Sequence, residues 1–235
     1  MNVYYINHSG FMVELEKNVL VFDYYTGAIP AFDRTKNVYV FVSHKHFDHF
    51  NKAIFNLFDD CKVHYILSKG CKMNEKYLDR LGLPIDLNDK ITYMRKNENV
   101  DIGDLQIETT ASTDTGVAFM VNVEGKDIYH AGDNGMWLWP EASDAIKVKM
   151  EKMYKEIIDG MGERHFDVAF VPADPKLEED AYRGLKYFLE KISADMVYAM
   201  HMWDKWDRFG EIINHEELCE YKEKLVDYRT EEMIK

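Results

Sequence analysis

Ser43-His44-Lys45-His46-Phe47-Asp48-His49 follows directly on the apolar run Val38-Tyr39-Val40-Phe41-Val42. The run is short, β-branched and aromatic, which predicts a buried strand. The segment after it holds three histidines and a carboxylate within six residues. Imidazole and carboxylate donors gathered at a strand's end suggest a transition-metal site, with zinc first. In an extended segment residues two apart point the same way, so His44 and His46 can face one ion together. Asp48 and His49 lie further along a turning loop and can face a second position. The competing reading is a polar loop after a strand. Four potential ligands in so short a span argue against it, because such clusters mark metal or catalytic sites.

Around that stretch the composition is that of a globular chain. At 235 residues the sequence is most simply one large domain, 46% apolar and 14% aromatic. No apolar run approaches the ~20 residues of a membrane helix. The first residues lack a basic segment followed by a long apolar one, so no signal peptide is expected. Cys61, Cys71 and Cys219 are sparse, with no C-x-x-C spacing. They predict free, buried, inert thiols in a reducing cytoplasm. A net charge of −13 does not favour nucleic acid or anionic membranes as partners. A divalent metal centre would be the largest local positive charge, so the expected partner is a small, anionic substrate.

Along the chain, short strands are expected at residues 3–6, 11–15 and 19–22, then at 38–42 and 63–67. Helices are expected at 50–58 and 74–81, the latter stopped by Gly82 and Pro84. Residues 91–94, 98–102, 105–110, 117–123 and 126–129 read as strands joined by tight turns. Then come a helix within 140–161, a strand at 167–171, a helix at 178–192, a strand at 196–200 and a charged helix from His215 onward. His64, inside an apolar strand, reads as structural.

His-X-His-X-Asp-His after a buried strand resembles the signature of the metallo-β-lactamase-fold superfamily of hydrolases. The resemblance implies an α/β fold, a four-layer αββα sandwich with helices outside two sheets. Downstream, Asp127-Ile128-Tyr129-His130-Ala131-Gly132-Asp133 is similar to the superfamily motif whose aspartate bridges two metals. Gly132 would let the backbone approach closely there. Met196-Val197-Tyr198-Ala199-Met200-His201 is similar to the strand that delivers the final ligand. By the same resemblance, to ascorbate-lactone hydrolases in particular, His8 of Asn7-His8-Ser9-Gly10 lies near the metal cleft; a turn histidine without a role is the alternative. Asp23 anchors a loop, and Asp174 can hold a metal-ligating histidine in orientation. His130 is either a supporting or a structural residue. Trp203 and Trp206 pack the loop after His201.

One expected ligand is missing. The superfamily's third histidine for the first metal falls where this chain reads Thr109-Thr110-Ala111-Ser112-Thr113-Asp114-Thr115-Gly116. Either Asp114 replaces it, with Ser112 and Thr113 as weaker candidates, or the first site has only His44, His46 and the bridge. An oxygen donor would move the metal preference from zinc toward manganese or iron. The reading that follows is a metal-dependent hydrolase that directs a metal-activated water at an ester, lactone or phosphodiester. His44 and His46 would serve one metal, Asp48, His49 and His201 a second, and Asp133 both. Asp48 would also orient the water or take its proton. The alternatives are a nuclease or phosphodiesterase of the same superfamily and a degenerate metal-binding protein with an incomplete first site. A flavin-coupled diiron oxidoreductase is disfavoured, since those relatives carry Glu where this chain has His46.

Overall fold

The computed structural model describes residues 1–230 and Met233, with the backbone alone for Ile85. The chain divides into two compact units, Met1–Arg95 and Lys96–Lys235. Each is built on one six-stranded sheet.

The N-terminal sheet runs in sequence order: β1 (Asn2–Asn7), β2 (Gly10–Glu14), β3 (Asn18–Phe22), β4 (Asn37–Val42), β5 (Lys62–Ser68) and β6 (Ile91–Met94). Its first three strands are antiparallel, while β3 through β6 pair in parallel. The parallel strands are uninterrupted apolar runs because both of their faces are buried. On one face Val19, Val21, Val38, Val40 and Val42 pack with Ile54 and Phe55 of α1 (Ile54–Leu57), with Phe58 just after it, and with Leu78 of α2 (Glu75–Arg80). On the other, Phe22 and Phe41 stack at 4.7 Å.

The C-terminal sheet has the order β12-β11-β10-β9-β8-β7. Its strands are β7 (Asn99–Ile102), β8 (Leu105–Thr110), β9 (Ala118–Val123), β10 (Lys126–His130), β11 (His165–Pro172) and β12 (Ser193–Met200). Here β7 to β10 are antiparallel and β10 to β12 parallel. Three helices follow the same unit: α3 (Asp144–Asp159), α4 (Arg183–Lys191) and α5 (Trp206–Ile213). Buried Tyr129 of β10 stacks at 5.3 Å on both Phe166 and Phe188, tying the sheet to α4. Cutting such a ring back to alanine costs about 3–5 kcal/mol.

The strands fall where the sequence predicts them, and the helices differ in four places. The helix expected at 50–58 shrinks to α1, because the Asn51 side chain caps Ala53 N–H at 2.9 Å and delays the helix start. The helix expected at 178–192 is broken by Glu178 at φ 53°; a 3-10 segment, Pro175–Asp180, precedes α4. The charged helix expected from His215 is only a 3-10 turn, Glu216–Tyr221. After it the chain bridges β12 through Val197 and Leu225, and residues 231, 232, 234 and 235 lie outside the described residues. Helix α5 was not foreseen: Trp206 begins this helix and packs on Phe209 and Tyr228. Cys71 is buried as expected, but Cys61 is half-buried and Cys219 exposed. Among the described residues no helix is long and apolar enough to cross a membrane.

Candidate metal centre

His44 to His49 follow β4, Asp133 follows β10 and His201 follows β12, all at the carboxyl ends of parallel-paired strands, the edge where open α/β sheets bind ligands. The N-terminal set is organised by Asp23, the residue after β3. Because β3 and β4 are parallel neighbours, Asp23 sits beside Ser43, the residue after β4, and its N–H donates to Phe41 O. Asp23 is fully buried. Its Oδ1 accepts the Ser43 N–H at 2.7 Å, and its Oδ2 accepts the Ser43 hydroxyl at 2.5 Å and His49 Nδ1 at 2.7 Å.

These bonds set the protons on two histidines. His49 donates from Nδ1, so its Nε2 carries the lone pair a metal needs. Ser43 has one hydroxyl proton and gives it to Asp23, so Ser43 Oγ accepts from His44 Nδ1 at 3.0 Å. His44 Nε2 is therefore also a lone-pair donor. It lies 3.0 Å from His46 Nδ1. Two ring nitrogens that close need a shared proton or a shared cation. About 3.0 Å is also the separation of two ligands set at right angles, roughly 2.1 Å from one ion.

Asp48, His49 and His8 form a second group, with one ligand atom of each lying within 4.8 Å of the others. Asp48 Oδ2 is 3.4 Å from His8 Nε2 and 3.9 Å from His49 Nε2. The first distance is long for a hydrogen bond but matches the edge of a ligand tetrahedron, roughly 3.4 Å. Burial works against the Asp48 carboxylate, but the closeness of His8 and the field of His49 outweigh it, holding the group down at about 2. Asp48 is thus an acceptor throughout the neutral range. His8 occupies a tight turn at φ 56°, and Asp23 is left-handed as well, at φ 42°. Such backbone strain in non-glycine residues gathers at functional sites. Gly10 lets this turn close: a Cβ there would stand 2.9 Å from Asn7 O and 3.2 Å from Asp23 O.

The C-terminal set repeats the arrangement of Asp23 with different residues. Asp174 follows β11 and is almost fully buried. Its Oδ1 accepts the Lys176 N–H at 2.7 Å; its Oδ2 accepts His201 Nδ1 at 2.8 Å and Trp203 Nε1 at 3.0 Å. Burial raises the Asp174 carboxyl, but these bonds and the His201 field win and hold it below the usual carboxylate range. His201, at the end of β12 and strained at φ 73°, directs its Nε2 to within 3.4 Å of Asp133 Oδ1. Asp133 follows Gly132, which turns the chain at φ 52°. The turn is pinned from three sides. Thr113 Oγ1 accepts Gly135 N–H at 2.9 Å and lies 2.7 Å from Gly135 O, Trp137 Nε1 donates to Asp133 O at 3.0 Å, and His130 Nδ1 accepts Gly132 N–H at 3.2 Å. Thr113 is thereby committed to holding the loop. Asp114 is exposed, and one of its oxygens lies within 4.8 Å of Asp133. His64 bonds Thr92 within the N-terminal sheet.

Sequence reasoning missed the Ser43 relay and the Thr113 and Trp137 clamp; hydroxyls and indoles of this kind carry no motif signal. The donor chemistry fits divalent metal ions. Both sets join carboxylate oxygens to imidazoles, and in His44, His49 and His201 the Nδ1 is engaged by a partner.

A mixed α/β chain with two such sheets and this donor inventory is a protein of the metallo-β-lactamase fold. It belongs to the family described as the β-lactamase superfamily domain, whose model matches residues 2–149. Asp174 and His201 lie beyond that match. A protein described as a UPF0173 metal-dependent hydrolase, from Pelotomaculum thermopropionicum, is 27% identical over 154 residues, covering 58% of this chain and 64% of that protein. This chain thus spans a little under two thirds of that relative. Among solved structures, a protein provisionally described as a metal-dependent hydrolase from Parabacteroides distasonis superimposes with a TM-score of 0.62 at 16% identity, covering 95% of this chain and 90% of that one. Igni18, a metallo hydrolase from the archaeon Ignicoccus hospitalis, gives 0.58 at 18% identity, covering 95% and 93%. At these identities the likeness is one of fold.

Proposed function

We propose that this protein is a metal-dependent hydrolase with a two-metal centre. His44 and His46 serve the first metal with Asp114 as the replacement third donor; Asp48, His49 and His201 serve the second, and Asp133 bridges. His8 stands beside Asp48. The observation that carries the reading is the matched pair of buried carboxylates. Asp23 and Asp174 each accept Nδ1–H from a histidine, at 2.7 and 2.8 Å, and so commit the other ring nitrogen to ligation. Zinc is the metal best matched to these imidazoles, with manganese or iron favoured if the Asp114 oxygen dominates the first site. Bound divalent ions would supply electrophilic polarisation and activate water at neutral pH. The chain's own contribution is orientation. Asp48, ionised down to about 2, is too weak a base to take a proton readily and instead accepts hydrogen bonds and holds water in line. The relatives' description as metal-dependent hydrolases supports the same reaction class, and an ester, lactone or phosphodiester is the bond to be cleaved. The protein is expected in the cytoplasm.

The test is metal analysis of the purified protein, followed by a panel of lactones, phosphodiesters and thioesters on the zinc and manganese forms. Two ions per chain and turnover of one substrate class are expected. A folded protein that takes up no metal would end this reading.

A further inference from the structure

Beside the metal loop the N-terminal unit holds an open cavity of roughly 420 Å³ whose lining carries four cations, Lys45, Lys52, Lys72 and Arg80, and no carboxylate. The chain as a whole has 29 basic and 42 acidic residues. At that ratio four charged positions would include about two carboxylates, so the lining runs against the composition. The cavity begins at the candidate metal loop, because Lys45 lies between His44 and His46 and Phe50 follows His49. The cations are propped on rings. The Lys52 ammonium sits 4.7 Å from the centre of Phe50, and the Arg80 guanidinium 5.3 Å from that of Tyr77. Buried Cys71 lines the cavity as well. The volume suits a small molecule and is too small for a macromolecule.

We propose that this cavity binds the phosphate group of a small-molecule substrate, holding it so that a second part of the molecule reaches the metal loop. The role in catalysis rests on the hydrolase reading above; the binding itself does not. A compact oxyanion with two charges fits a guanidinium and three ammonium groups better than a singly charged carboxylate does. Four cations at this position let a protein that repels anions overall collect them locally.

Isothermal titration with inorganic phosphate and with glycerol 3-phosphate, at matched ionic strength, tests the assignment. Each is titrated into the metal-loaded chain and the chelator-treated chain. Lys72→Gln/Arg80→Gln removes two exposed cations of the lining, and Lys149→Gln/Lys152→Gln removes two exposed charges elsewhere as a control. Binding of both probes is expected to persist without metal and to weaken roughly tenfold or more in the lining variant alone. Equal weakening in the control, or affinity that vanishes with the metal, would overturn the proposal. Binding of inorganic phosphate with rejection of the ester would overturn the substrate assignment. If the chain takes up no metal yet phosphate binding depends on Lys72 and Arg80, the cavity stands and the hydrolase reading falls. If metal is bound and the lining variant binds phosphate normally, the reverse holds.

Discussion

The N-terminal and C-terminal sets of candidate ligands use the same wiring to different effect. In each, a buried aspartate at the end of a parallel strand takes a backbone N–H on Oδ1, and a histidine Nδ1 plus one further side-chain donor on Oδ2. In the N-terminal half that further donor is Ser43, which passes the constraint on to His44. One carboxylate therefore sets the tautomers of two histidines. In the C-terminal half the further donor is Trp203, which ends the chain of bonds, and Asp133 is held separately by Thr113 and Trp137. The first half is coupled and the second modular, so removing one residue should be far costlier in the first.

The strongest way to break this contrast is Asp23→Asn. Asparagine tolerates the left-handed backbone, but its amide nitrogen would face His49 Nδ1 and force the ring proton onto Nε2, the ligating atom. Loss of one outer partner of a metal ligand costs 10–100-fold in affinity. Here two histidines depend on one partner, so competition titration should show roughly 100-fold or greater loss together with a lowered melting temperature. Asp174→Asn affects His201 alone and should fall within 10–100-fold, with the His44 and His46 site intact. Equal losses in the two variants would refute the asymmetry.

Thr113→Val keeps the shape but removes the buried hydroxyl's bonds to Gly135 N–H and Gly135 O, at a cost of about 1–3 kcal/mol. For a chain of this size that lowers Tm by about 2–10 °C, with metal affinity falling less than for Asp174→Asn.

The pH response sharpens the role of Asp48. Its folded pKa is depressed to about 2, below an unfolded value of about 3.9. Its contribution is therefore fully present above pH ~4 and is lost as pH falls from there toward 2. In chelator-treated protein the stability gap between wild type and Asp48→Asn should narrow over that window, as followed by denaturant unfolding. A gap that stayed constant would show that the His8 and His49 partners do not stabilise the charged form.

The smallest effect on folding belongs to Asp114→Ala. An exposed carboxylate should change stability by no more than about 0.5 kcal/mol. Metal stoichiometry is the informative reading: affinity at the first site should drop while the second is unchanged, and unchanged stoichiometry and affinity at both would remove Asp114 as a donor.

The strands and the ligand loop were legible because their signals are local. Alternating or continuous apolar runs bounded by turns mark β3, β4 and β8 to β10, and four donors in six residues mark residues 44–49. The helices were less so. Periodicity alone did not show that Asn51 would cap a shortened α1, that Glu178 would turn left-handed, or that Trp206 would start a helix of its own. Of the supporting groups, Asp23 and Asp174 were visible as carboxylates at strand ends, but nothing in the local sequence says that Ser43 would relay or that Thr113 would clamp.

The sequence by itself determined the inventory: which donors exist, in what order, and on strand ends of a metallo-β-lactamase-like chain. Only the tertiary structure decided their protonation. Asp23 meets His49 across 26 residues of chain and Asp174 meets His201 across 27. Parallel pairing of β3 with β4 and of β11 with β12 makes those meetings possible. A histidine's identity is a local fact, but which of its nitrogens holds the proton depends on the partner brought to it, and in both halves that partner arrives through the sheet.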